Sequence, residues 1–314
     1  MMYLGIDTSC YTTSLAAVDS EGRLLADERR LLPVPEGKRG LRQSEAVFLH
    51  LGNLPELAAL VKEKLGTPEI AGIAASVRPR PLEQSYMPVF TVGASFGKSL
   101  ASFSGAAFWE LSHQEGHLLA GIWSSGMAEK DFYALHVSGG TTELLAVAFA
   151  GGIWKIKKIG GTEDLHAGQF IDRAGVALGL SFPAGPELEK LAQKAGSETV
   201  DVPVSVRGTT VSFSGPESHI QRLISAAGGS RAEIARAVES CIAASLLRLV
   251  RNAWKEYGQK PVLFIGGVMA NDFIRRRLDG SLPGYCLFAD ARYSGDNAVG
   301  AALYAREKAK ADAS

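Results

Sequence analysis

The stretch Thr12-Thr13-Ser14-Leu15-Ala16-Ala17-Val18 returns later as Thr141-Thr142-Glu143-Leu144-Leu145-Ala146-Val147. Each copy follows a short apolar run, Tyr3–Asp7 in the first case and Ala134–Ser138 in the second, across a polar turn. Short apolar or alternating runs bounded by turn residues read as strands. A third strand is expected in each copy, over Arg23–Leu32 and Ile153–Ile159. The spacing is far too long for a solenoid repeat, and it suits a duplication in which one strand meander opens each half of the chain.

Working outward, the periodicity predicts a helix over Glu45–Leu65, a buried strand over Ile70–Ser76 and a helix over Val89–Ser102. Gly93 and Gly97 lie four apart on that last helix, a spacing that lets another backbone come close. Helices follow near Gly168–Leu180 and Glu187–Lys194, with Pro183-Ala184-Gly185-Pro186 between them. The firmest element is a helix over Ala232–Tyr257. Ser230 with Glu233 forms a capping-box pattern, and Gly258 stands where a helix stop belongs. Val262–Ile265 is a further buried strand and Asp272–Leu278 a further helix. Strands alternating with helices place the chain in the α/β class.

Composition narrows the function. Lys+Arg and Asp+Glu each number 33, so bulk positive charge does not hold nucleic acid here. The cluster Arg275-Arg276-Arg277 reads equally as a basic patch or as a solvated helix face. The three cysteines, Cys10, Cys241 and Cys286, have no paired spacing, which fits a reducing compartment, and Cys241 is expected in the core. No signal peptide or membrane span is read, so the expected location is the cytoplasm.

Four segments carry chemistry. In His113-Gln114-Glu115-Gly116-His117 the histidines, if helical, share one face and can reach a single divalent ion; two surface histidines are the plain alternative. Val137-Ser138-Gly139-Gly140-Thr141-Thr142 ends a strand in small residues whose amides can wrap a phosphate, or is a hairpin turn. Phe264-Ile265-Gly266-Gly267-Val268-Met269-Ala270-Asn271 runs a buried strand into two glycines and a helix start, without the dinucleotide spacing. Asp296-Asn297 precedes a small-residue helix, and Asp296 is either its cap or an oxygen ligand for the histidine pair.

In this order the segments resemble the TsaD family, which makes the threonylcarbamoyl modification of tRNA adenosine and was formerly labelled O-sialoglycoprotein endopeptidase. The H-x-E-G-H motif matches His113–His117, V-S-G-G matches Val137–Gly140, and G-G-V-x-A-N matches Gly266–Asn271. The resemblance implies the actin-like ATPase (ASKHA) fold of Hsp70 and sugar kinases. It suggests one lobe of residues 1–108 with 297–314, and a second of 109–296 that carries the metal and nucleotide motifs. It implies one divalent metal, iron or zinc, on His113, His117 and Asp296. It implies an adenine nucleotide or acyl-adenylate on His136, Val137, Ser138, Gly139, Gly140, Asp172, Gly185 and Asn271. The implied partners are tRNA and a TsaB-like protein or a second copy, since Gly40-Leu41-Arg42-Gln43-Ser44-Glu45 resembles the TsaB helix entry.

The departures are as informative. The family's C-D-E-T reads Cys10-Tyr11-Thr12-Thr13, so the proposed catalytic acid is replaced by Tyr11. Glu115 and His166 are the substitute candidates for accepting a proton. The G-P-G-L loop becomes Val77-Arg78-Pro79-Arg80-Pro81-Leu82, D-D-A-A-G-E becomes Asp164-Leu165-His166-Ala167-Gly168-Gln169, and a family lysine becomes Glu217. An edge with a tyrosine in place of an acid and two added arginines attracts an anion. The pattern reads as a divergent paralogue with three open functions: impaired threonylcarbamoyl transfer, a non-catalytic nucleotide-binding scaffold, or carbamoyl transfer to another acceptor.

Overall fold

A computed structural model describes the chain except Cys10, residues 35–40, Pro68, Glu83, residues 151–152 and 197–199, Ala227 and residues 313–314. Cys10 and the Gly40 end of the helix-entry resemblance therefore lie outside the described residues. The chain forms two compact units, Met1–Ser124 with Gly295–Ser314, and Ser125–Ser294.

The first unit holds a five-stranded sheet. β1 (Met2–Asp7), β2 (Thr12–Asp19) and β3 (Leu24–Leu31) form the expected antiparallel meander. β4 (Ile70–Arg78) and β5 (Ala107–Ser112) add parallel to β1, giving the order β3-β2-β1-β4-β5. β1 is buried along its whole length, as a central strand covered on both faces must be. One face takes α1 (Gln43–Leu65) and α2 (Phe90–Ser104). His50, Leu54, Leu57 and Val61 recur on α1 at helical spacing and are buried. Each fully buried Leu or Ile there stabilises by roughly 1.5–3 kcal/mol. Gly93 and Gly97 of α2 meet the side chains of Thr8, Ile6 and Phe108 rather than another backbone, which corrects the reason expected for that pair.

α3 (His113–Ser125) follows β5 directly, and α10 (Val299–Asp312) packs on β1 and β4. This corrects the expected division at residue 108. Trp109 and Glu110 pair with Ala74 and Ala75 inside the first sheet, so the backbone hydrogen bonds of β5 hold the histidine helix in the first unit.

In the second unit β6 (Asp131–Val137), β7 (Thr142–Ala150) and β8 (Ile153–Thr162) form the second meander. α4 (Ala167–Ala177) and α5 (Gly185–Ala192) come next. The small hairpin β9 (Ser205–Arg207) and β10 (Thr210–Ser212) extends the sheet beside β8, and α6 (Ser214–Ser225) leaves it. α7 (Arg231–Tyr257) buries 13 of its 27 residues and forms the middle of this core. Its expected cap is present, with Ser230 Oγ accepting from Glu233 N at 3.2 Å. Such a cap contributes about 1 kcal/mol. Cys241 on α7 is buried, as expected.

β11 (Val262–Ile265) pairs parallel to β6 and leads through a short 3₁₀ turn, Gly267–Ala270, into α8 (Asp272–Ser281). β12 (Cys286–Phe288) and α9 (Ala291–Ser294) close the unit, and α10 (Val299–Asp312) belongs to the first. The sheet order is β12-β11-β6-β7-β8-β10-β9. Without the added hairpin this is the strand order of the first sheet, and the actin-like fold implied by the family resemblance is the fold observed. Among the described residues no helix is long and apolar enough to cross a membrane.

Candidate metal centre and glycine corner

β5 aims α3 so that the histidines stand at its first turn. Pro79 O accepts Gln114 N at 3.1 Å, which ties the Arg78–Leu82 loop to that turn. Glu115 Oε2 accepts Ser112 N at 2.7 Å and Ser112 Oγ at 2.6 Å. Its carboxylate thus closes the start of the helix.

The turn into α10 supplies the third group. Asn297 Oδ1 accepts Val299 N at 3.0 Å and caps the helix. Asn297 thus takes the capping role that was one of the two readings of Asp296. His113 Nε2 and His117 Nε2 lie 3.0 Å apart, and Asp296 Oδ1 lies 3.4 Å and 3.3 Å from them. Ligand atoms about 2.0–2.2 Å from a common ion stand about 3.0–3.5 Å from one another. The three atoms therefore fit one divalent ion with no rearrangement. Among the described residues this is the single cluster of its kind.

What brings the segments together is a helix crossing without side chains. A Cβ on Gly300 would lie 1.8 Å from Gly116 O. Gly116 lies between the two histidines in sequence and Gly300 one turn after Asp296. The contact sets the depth of both.

Asp7, at the end of β1, was not among the sequence candidates. Its Oδ2 lies 2.8 Å from His113 Nδ1, while its Oδ1 accepts Ser9 N at 2.8 Å. With an ion bound, a carboxylate on Nδ1 would fix the tautomer whose Nε2 lone pair serves as ligand. The signal for it was an acid ending an otherwise apolar, fully buried strand. Burial resists charge on the His113 ring, but Asp7 and Asp296 outweigh it and raise its pKa well above the ordinary value. Burial and the His113 charge lower the pKa of His117. Burial opposes ionisation of Asp296 and of Asp7, yet the facing imidazoles hold both carboxyls below the usual range.

The altered edge belongs to this unit too. Tyr11 O accepts Leu32 N at 2.7 Å, and Thr12 pairs with Leu31. Thr13 Oγ1 accepts from Asn53 at 3.0 Å and meets His50 Nδ1 at 2.8 Å. Burial pushes the fully enclosed His50 down to about 4.

The remaining sequence candidates lie in the second unit. Ser138–Gly140 is a hairpin turn, with Ser138 N bonded to Thr141 O at 2.7 Å, and Gly139 and Gly140 are exposed. α4 starts against it. Gly168 N donates to Ser138 O at 3.2 Å, and a Cβ on Gly168 would lie 2.7 Å from Gly139 N. Gly266, at φ +100°, passes so close to Val137 that a Cβ would lie 2.3 Å from its carbonyl oxygen. His136 is buried in β6, so it offers a ligand backbone only. Asp172 Oδ1 accepts Ala184 N at 2.8 Å and so holds the turn that precedes Gly185; burial raises its pKa. Around Gly185 itself the space is open, since beyond its chain neighbours and its own helix backbone an added Cβ would meet no atom within 4 Å. Asn271 Oδ1 caps α8 by accepting Ile274 N at 2.9 Å.

His166 belongs to this second unit, at the N-cap position of α4, with its backbone N–H bonded to Gln169 Oε1 at 3.2 Å. Asp164 proves structural. Its oxygens accept from Thr162, Leu165, Ser212, Phe213 and Ser214, stitching the α4 entry to the α6 entry.

Several solved structures share this fold. Full-length HypF in a phosphate- and nucleotide-bound form is 14% identical over 97% of this chain and 55% of its own, with a TM-score of 0.62. Component A of the (R)-2-hydroxyglutaryl-CoA dehydratase of Acidaminococcus fermentans is 17% identical over 99% of both chains, at 0.59. A ROK family glucokinase from Streptomyces griseus, in complex with glucose and AMPPNP, is 14% identical over 98% of this chain and 100% of its own, at 0.53. At such identities they establish the architecture alone. The family model for TsaD, tRNA N6-adenosine threonylcarbamoyltransferase, matches residues 48–303. Since that span takes in the histidine pair, the Asp296 carboxylate and the whole glycine corner, the chain belongs to the TsaD family.

Proposed function

We propose that this chain binds an adenine nucleotide through its second unit and one divalent ion, iron or zinc, through His113, His117 and Asp296. We further propose that it transfers a threonylcarbamoyl group from its AMP ester to adenosine in tRNA, at a rate reduced by the changes around Tyr11. The observation that carries the reading is the convergence of three ion ligands from distant segments within 3.0–3.4 Å, in a chain of this family.

The exposed turn at Gly139 and Gly140, where the Gly140 N–H donates to Ser138 Oγ at 3.3 Å, suits phosphate oxygens, and the start of α4 beside it favours negative charge. The second oxygen of Asp172 suits a ribose hydroxyl. The open space at Gly185 suits the nucleoside, which a side chain there would crowd. A bound divalent ion supplies Lewis-acid polarisation of an oxygen atom. The adenosine amine attacks the carbamoyl carbonyl, the bond to the AMP phosphate oxygen breaks, and the amine gives up a proton. The family acid that would serve that proton is Tyr11 here. Loss of general-base help costs about 10²–10⁴-fold in rate and leaves binding intact. Glu115 is engaged with Ser112 and His166 starts α4, so each keeps a structural task beside any such role.

The Tyr11 and Thr12 replacements favour a second reading, a nucleotide-binding paralogue without transfer activity. Carbamoyl transfer to a different acceptor is the third. The test is complementation of a strain depleted of its housekeeping TsaD, read as modified adenosine in tRNA. Partial or absent restoration together with adenine nucleotide binding in calorimetry is the expected result. Full restoration overturns the altered-edge reading, and absence of both metal and nucleotide from the purified protein overturns the whole proposal.

A further inference from the structure

Beneath the Asn271 corner lies a fully buried carboxyl group, Glu239 on α7. Each of its oxygens faces a donor. Asn271 Nδ2 donates to Oε1 at 2.6 Å, and the Arg236 guanidinium donates to Oε2 at 2.6 Å. The Asn271 amide is fixed from its other side, because Oδ1 accepts Ile274 N. A primary amide has two N–H groups splayed in one plane. With Oδ1 and one N–H occupied, the direction of the second N–H is determined.

We propose that Glu239 is a positioning residue for nucleotide binding, whose ionised carboxylate locks the Asn271 amide so that its second N–H is presented to the ligand. The inference rests on the reading of Asn271 as a nucleotide contact. An ionised carboxylate accepts at both oxygens, which is what two facing donors require. A proton on either oxygen sets a donor against a donor, and one of the two hydrogen bonds is lost. Arg236 is held independently, with its guanidinium 3.9 Å from the Phe273 ring centroid. The bond to Asn271 is the one that yields.

The surroundings place this change in the neutral range. Burial pushes the Glu239 carboxyl up to about 7, against the Asn271 hydrogen bond and the Arg236 charge. From α5, Glu189 adds like charge while its Oε1 accepts Asp272 N at 2.8 Å. Asp272, the first residue of α8, is exposed. The lock is thus closed above neutral pH and open below it.

The probe is adenosine, whose base and sugar do not titrate in this range. Calorimetry on the full chain should find adenosine binding about five- to tenfold tighter at pH 8 than at pH 6, the worth of roughly one hydrogen bond. Glu239→Gln keeps an acceptor for Asn271 and cannot ionise, so its profile should be flat. A flat wild-type profile, or an unchanged profile in Glu239→Gln, overturns the proposal. A ligand-free readout accompanies it. The chain has four asparagines, Asn53, Asn252, Asn271 and Asn297, so the Asn271 side-chain amide can be identified by ¹⁵N labelling and its loss in Asn271→Ala. Its resonance should titrate near neutral pH in the wild type and not in Glu239→Gln. Failure to titrate overturns the lock itself. A normal titration with no adenosine binding leaves the hydrogen-bond geometry standing, but overturns the nucleotide reading and with it the role assigned to Glu239.

Discussion

The two units are built on one plan and use it for opposite chemistry. In the first, Ile6 pairs with Leu15, and in the second Leu135 pairs with Leu144. The next residue of the leading strand is Asp7 in one and His136 in the other. Asp7 is turned on a metal-type imidazole at 2.8 Å, whereas His136 is buried in the sheet beside Gly266. Thr8 and Ser9 follow in one copy, and the turn Ser138–Thr141, with its two exposed glycines, in the other. The first unit therefore gathers carboxylates and imidazoles, which suit a cation. The second gathers amides, glycines and a helix start, which suit an anion. Strand order is thus compatible with either charge, and the residues at the strand ends decide.

The sharpest way to break this comparison is Gly300→Ala. Its Cβ would meet Gly116 O at 1.8 Å, so the helices must part. Destabilisation of about 3 kcal/mol is expected in denaturant melts, with metal content falling toward zero. Nucleotide binding by the second unit should persist. Metal retained at full stoichiometry would show that the helix crossing does not set the ligand positions.

A comparable effect in the second unit follows from pH. The Glu239 carboxyl is raised from 4.5 to about 7 in the folded chain. Between those values the folded state binds more protons than the unfolded one, so stability is full below the lower value and is lost as pH rises through the higher. The loss approaches about 3 kcal/mol. Comparing wild type with Glu239→Gln in melts at pH 5 and pH 8 isolates it. Identical pH dependence in the two chains would remove Glu239 as the cause.

Asp172→Ala should weaken adenine nucleotide by about 1.5–3 kcal/mol if a charged hydrogen bond is lost, with metal content unchanged. Unchanged affinity in calorimetry moves the ribose elsewhere. Asp7→Ala should lower metal affinity about 10–100-fold, the usual worth of an orienting carboxylate, while nucleotide affinity stays as it is. A competition titration with a chelator measures this. A loss at both sites in either variant would blur the division between the units.

Much of this was legible in the sequence because periodicity and spacing are local. The two meanders, the capped α7 and the i,i+4 histidines all needed only neighbouring residues. The ion ligands and the glycine corner were named through resemblance to a family, and the structure brings His113, His117 and Asp296 together. What stayed hidden depends on contacts between distant segments. β5 reads as Ala-Phe-Trp-Glu-Leu-Ser with no clean alternation, and only its pairing with β4 makes it a strand and moves the unit boundary past residue 108. Asp7 and Glu239 look like ordinary acids until their partners, far along the chain, are placed against them. The weak hairpin β9–β10 consists of three-residue strands, too short to show a period.

The return of α10 to the first unit also imposes an order of events during synthesis. The histidine pair leaves the ribosome early, while Asp296 and Gly300 emerge only after the whole of the second unit. A nascent chain ending at Ser294 would hold two imidazoles and no carboxylate to complete their grip. Three-ligand closure of this cluster therefore waits until the second unit has been made.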